Sequence, residues 1–132
     1  MKSLSPYILL KGIVPVISLL LAFGLSVNEA GAQSMASKIE KLGEMTYLEV
    51  ADLRIAQRNG LLNVQVEIKN TSNSNEQLYY RFKWLDSSGF SVWNDEPWKP
   101  LLIYGKQKQL ITTVAPTLQA TDFRVVLQSP NN

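Results

Sequence analysis

Catalysis on this chain would have to come from carboxylates, hydroxyls or amines, because its 132 residues include no cysteine and no histidine. That removes a thiol nucleophile, an imidazole base, disulfides and the Cys/His zinc patterns. Asp95 and Glu96, with Asp86, are the candidates for a carboxylate pair of the glycosidase kind. Such pairs face each other across a cleft at about 5–9.5 Å. Sequence neighbours on one loop rarely reach that geometry, so solvated loop charges are the expectation. Serine–lysine chemistry would need Lys83 buried beside Ser87 or Ser88, and alternation along a strand turns Lys83 outward. Asp86-Ser87-Ser88-Gly89 resembles a phosphate loop in composition, yet such a loop feeds a helix N-terminus and no helical pattern follows. It reads as a tight turn whose Asp86 carboxylate accepts backbone N–H groups. No catalytic residue, cofactor or metal ligand is assigned, and the chain reads as a non-enzyme.

Binding is the chemistry left. Phe90, Trp93, Trp98 and Tyr104 form a dense aromatic group, with the two tryptophans bracketing the polar residues 94–97. Aromatic side chains on a rigid scaffold make flat sites for glycans or proteins, and Trp and Tyr are enriched at such sites. Trp93, Asp95, Trp98 and Tyr104 are therefore the candidate partner-binding residues. Whether Trp93 and Trp98 instead fill the core stays open, because periodicity fails around Pro97.

These residues need a scaffold, and past residue 46 every signal for one is β. From Tyr80 to Trp84 the chain alternates, with Tyr80, Phe82 and Trp84 on one face and Arg81 and Lys83 on the other. Residues 62–68 (LNVQVEI) alternate as cleanly, and residues 47–56 less so. Between those last two lies Asn59-Gly60, a hairpin signal because both central residues of that turn need positive φ. Residues 90–93 read as a short strand. Residues 98–104 are broken by Pro100, which places them at a sheet edge or outside the sheet. Residues 107–114 and 122–128 are strand-like, joined by a longer connection suited to a crossover between two sheets. The sum is an all-β, immunoglobulin-like antiparallel sandwich of about seven strands, with a small closed barrel as the alternative. Its predicted core is Val64, Val66, Ile68, Tyr80, Phe82, Trp84, Phe123, Val125 and Leu127.

The N-terminus has another composition. Lys2 and Lys11 precede an apolar run over residues 13–25 (IVPVISLLLAFGL), short of the roughly 20 residues that span a bilayer. It has the length of a secretory h-region, and Ala30-Gly31-Ala32 is a small-x-small cleavage site. A signal peptide over 1–32 is expected, cut between Ala32 and Gln33. A polar tether, with room for a short helix, follows over 33–46, then the sandwich over 47–132. Once cut, the chain would have no stable membrane span and would lie in the periplasm, without lipid on an N-terminal cysteine. Thirteen basic and eleven acidic residues, interspersed, give a net charge of +2 and no stripe suited to nucleic acid.

The order of residues from Val64 to Ser72 (VQVEIKNTS), from Tyr80 to Gly89 (YRFKWLDSSG), then Trp98, Ala115-Pro116 and Phe123-Arg124, resembles the YcfL family. Those are small bacterial envelope proteins, usually lipoproteins, of uncharacterised function. The resemblance covers about residues 61–127 and implies an envelope location, but this chain lacks the lipobox cysteine. It implies no active site. Together with the export signal it leads to an exported module that binds another envelope component, expected to be a protein, with peptidoglycan or another glycan as the alternative.

Overall fold

Where the sequence alternates, the chain is extended. The computed structural model describes residues 35–130; the expected signal peptide and its cleavage residues Ala30, Ala32 and Gln33 lie outside them. Within the unit Ser37–Asn132 seven strands form: β1 (Ile39–Lys41), β2 (Leu48–Arg58), β3 (Leu61–Asn70), β4 (Glu76–Leu85), β5 (Lys99–Ile103), β6 (Lys108–Val114) and β7 (Asp122–Gln128). They make a first sheet in the order β1-β7-β4-β5 and a second in the order β2-β3-β6. This is the all-β sandwich the patterning predicts. The connection over residues 115–121 carries the chain from the second sheet to the first, as its length suggests.

Each sheet turns one face inward. From the second come Leu62, Val64, Val66 and Ile68 of β3, with Leu48 and Ile111. From the first come Leu78, Phe82 and Trp84 of β4, Phe123, Val125 and Leu127 of β7, and Ile103 of β5. Burying one such side chain contributes roughly 1.5–3 kcal/mol, so these rows together suffice for a core without disulfides. The Phe82 and Trp84 rings stack at 5.6 Å, and Phe123 tilts against both. Tyr80, placed in the core by its alternation, is only half-buried and packs at the core's margin, its ring edge-on to Phe82 at 6.2 Å. The other eight predicted core residues are buried.

The β2–β3 hairpin turns at Asn59 and Gly60 with φ of 53° and 80°, the left-handed geometry their types favour. At the other end of β3 sits a buried amide. The Asn70 Nδ2 donates to the carbonyls of Ser74 (2.7 Å) and Ile103 (3.0 Å), and its Oδ1 accepts from the Ser72 N–H and hydroxyl. Gly105 packs against this turn so closely that a Cβ there would stand 2.3 Å from the Asn73 carbonyl oxygen. Residues 70–75 are all turn-forming types, and this amide ties their turn down.

Two expectations need correction. The tether assigned to residues 33–46 contains β1, which pairs in parallel with β7 (Ile39↔Val125 to Lys41↔Leu127), so the sandwich begins before residue 47 and is not wholly antiparallel. Three residues held by backbone bonds leave little pattern to read. Residues 90–93 form no strand. They make a single bridge, Leu85↔Ser91, and lie along the unpaired half of β4.

Candidate functional site

The four candidate residues divide between a strand face and a loop. Pro100 pairs with Tyr79 and Leu102 with Gln77, so β5 is the edge strand that Pro100 requires. Leu101 and Ile103 point inward. Alternation then puts Trp98, Pro100, Leu102 and Tyr104 in a row on the outer face. Leu102 is 44% exposed and Tyr104 57% exposed. Trp98, half-buried, lies one register step beyond the Tyr80↔Lys99 pair and covers its neighbour: the Arg81 guanidinium carbon sits 4.5 Å from the Trp98 ring centroid. Stacking on an aromatic face offsets part of the cost of holding the charge there. Among the described residues, Arg81 Nε is a buried side-chain nitrogen with no hydrogen-bond acceptor.

Trp93 and Asp95 are exposed and lie on the loop over residues 90–97. That loop closes the half of β4 that β5 does not reach. Val92 N–H donates to the Trp84 carbonyl at 3.0 Å, and Asp86 N–H to the Phe90 carbonyl at 2.9 Å. The Glu96 carboxylate then takes the place of a missing strand: Oε1 accepts the Phe82 backbone N–H and Oε2 the Trp84 indole N–H, each at 3.1 Å. Both oxygens are committed to β4. Glu96 thus serves the scaffold, while Asp95 beside it stays exposed.

The remaining chemical candidates resolve likewise. Asp86 Oδ1 accepts the N–H groups of Ser88 and Phe90 at 2.9 Å each, and Gly89 takes φ of 85°, as a tight turn requires. Lys83 points outward and meets Glu40 of β1 at 3.1 Å. Asp122 gathers three donors: Lys38 Nζ at 2.6 Å, Arg124 Nη1 at 3.0 Å and the Phe123 N–H at 2.8 Å. Burial pushes the Asp122 carboxyl up, but Lys38, the Phe123 amide and Arg124 together outweigh it and hold the group below its ordinary value. Among the described residues no helix is long and apolar enough to cross a membrane. Sequence reasoning missed Leu102 and Arg81 as parts of the surface. The signal was present, since residues 98, 100, 102 and 104 keep strand alternation straight through Pro100.

A two-sheet β-sandwich with exposed aromatics at the end of an edge strand (Tyr104) and on the loop before it (Phe90, Trp93) is the class these features define. The chain belongs to the DUF1425 family, described as a protein of unknown function, which matches residues 34–129. Its fold is similar to the crystal structure of Campylobacter jejuni Cj0090, with TM-score 0.61 and 22% identity, over 70% of this chain and 97% of that one. It is also similar to a DUF1425 family member from Shewanella sp. PV-4, with TM-score 0.56 and 23% identity, over 65% of this chain and 83% of the other. No curated protein matches the chain.

Proposed function

We propose that this protein is an exported, non-enzymatic sandwich module of the YcfL type that binds another cell-envelope protein through the outer face of β5. The observation that carries the reading is the row Trp98, Pro100, Leu102 and Tyr104, apolar and partly exposed on a rigid strand beside Arg81. Apolar and aromatic groups with an arginine alongside are the composition of protein-binding hot spots. The hydrophobic run over residues 13–25 and the Ala30-Gly31-Ala32 site support export to the periplasm. A thioether-linked lipid would need a cysteine, and the sequence has none.

Replacing Leu102 by Ser together with Tyr104 by Ala tests the surface without disturbing the Trp98–Arg81 contact. Both positions are solvent-facing, so stability should change by about 0.5 kcal/mol each at most. The protein that copurifies with the wild-type chain from solubilised envelopes should be lost. Retention of that partner by a folded double variant overturns the reading. If co-sedimentation with purified sacculi is what disappears instead, the surface is a glycan site.

A further inference from the structure

The edges of the two sheets are not treated alike. Backbone bonds show which way each edge faces. In the first sheet the Glu96 bond shows that the Phe82 N–H points to the β5 side. Lys99, Leu101 and Ile103 therefore bond to β4, while Pro100 and Leu102 face solvent. The residue without an N–H falls on the free edge. Beyond the end of β1, the Phe123 N–H of β7 is taken by Asp122 Oδ1. In the second sheet β2 is broken by a bulge between Val50 and Asp52, and its Leu53 N–H is taken by Asp52 Oδ1 at 2.9 Å. Bulges, prolines and charges are the means by which proteins keep strand edges from recruiting other strands.

On β6 these devices are missing. Ala115 N–H donates to the Leu62 carbonyl and the Gln107 carbonyl accepts from Asn70 N–H. The odd-numbered residues of β6 thus bond to β3, and Lys108, Leu110, Thr112 and Val114 turn their backbone groups away from it. Among the described residues no strand pairs with that side. From Gln109 to Val114 the strand has no charge, no proline and no bulge. On its outer face Leu110 is 55% exposed and Val114 49% exposed.

We propose that the free edge of β6 is a self-association surface, on which β6 of a second copy pairs antiparallel about a two-fold axis through Thr112. The register follows from the side chains. Centred on Thr112, residue 110 of each copy faces residue 114 of the other, so both exposed apolar pairs meet and the two threonines face one another. The residues in these pairs are the ones whose N–H and C=O groups already point outward, giving about six new backbone bonds. Lys108 falls opposite Pro116, so no like charges meet. Centring on Leu110 or Ile111 instead sets Val114 against Lys106 or Lys108. Aliphatic and Thr–Thr cross-strand pairs stabilise a ladder, and like charges directly opposite destabilise it. The product joins two three-stranded sheets into one continuous sheet.

The absence of cysteine makes the test clean. Sedimentation of the full chain should show a concentration-dependent dimer. Thr112→Lys, which sets two ammonium groups opposite each other, should weaken it about tenfold or more. Thr112→Cys should give a disulfide-linked dimer on mild oxidation, since facing residues of a bonded pair lie about 5.5 Å apart between Cα atoms. Leu110→Cys should not, because the two copies of that residue are displaced by about 13 Å along the strands. A chain that stays monomeric at all concentrations overturns the proposal, as does equal cross-linking of the two cysteine variants. Should Thr112→Lys fail to fold, the cysteine pair alone decides. Capture of a different protein by the Thr112→Cys thiol, with no homodimer, gives the edge to another partner and also overturns it.

Discussion

The outer half of β4 and the whole of β6 face the same physical problem, a row of backbone donors and acceptors without a neighbouring strand. The chain answers it in only one of the two places. Along β4 the loop over residues 90–97 folds back, and Glu96 supplies two acceptors to Phe82 and Trp84. Along β6 nothing in the described residues returns to cover Leu110, Thr112 and Val114. The difference teaches that a carboxylate can stand in for part of a strand: one oxygen takes a backbone N–H of β4, the other the indole N–H beside it, and the charge repels a second edge. Asp122 and Asp52 repeat the device with one oxygen each, on Phe123 and Leu53.

Removing the substitutes should rank them. Glu96→Ala strands the Phe82 amide and the buried indole N–H of Trp84, and an unsatisfied buried donor costs about 1–3 kcal/mol. The expected loss is about 2–4 kcal/mol of unfolding free energy, read as a lower denaturant midpoint, with Glu96→Gln recovering part of it because its amide oxygen still accepts one bond. A midpoint unmoved by Glu96→Ala would mean that the loop, not its carboxylate, seals β4.

Asp122→Ala should cost less, about 1–2 kcal/mol, since it leaves one backbone N–H rather than two donors without an acceptor, and the partly exposed Lys38 and Arg124 can hydrate. Its pH dependence carries the sign. The folded carboxyl titrates below its unfolded value, so its contribution is complete above about pH 4 and is lost as the pH falls through the folded value. The stability gap between wild type and Asp122→Asn should therefore close in acid. A gap that widens below pH 4 would contradict the assignment. Asp52→Ala should matter least, under about 1 kcal/mol, because its pair with Arg54 is exposed and screened. Its effect belongs in association: that variant should gain a tendency to self-associate that wild-type β2 lacks, read by sedimentation at raised concentration.

How much of this could be read in advance depended on whether a residue's partner lay close in the chain. Alternation in β3, the Asn59-Gly60 turn and the Asp86 turn are set by neighbours, and all three were legible. Pro100 correctly marked an edge because its lost N–H is a property of one residue. By contrast Glu96 looks like one more loop charge, since nothing local announces that Phe82 and Trp84 will need acceptors. Asn70 reads as the first of six turn formers, although its side chain is buried and bonded to Ile103 on the other sheet. β1 escaped because three backbone pairs impose almost no side-chain pattern. Of the candidate surface, Trp98 and Tyr104 share a face that alternation could have extended to Leu102, whereas Trp93 and Asp95 sit on the loop.

Apolar layers are largely indifferent to sliding over one another, since a methyl group displaced by a fraction of an ångström finds similar company. A directional bond is not. By reaching from the end of β3 to the Ile103 carbonyl, the Asn70 amide acts as a registration pin between the layers. It fixes where β5 stops, and with that it sets the height at which Leu102 and Tyr104 are presented.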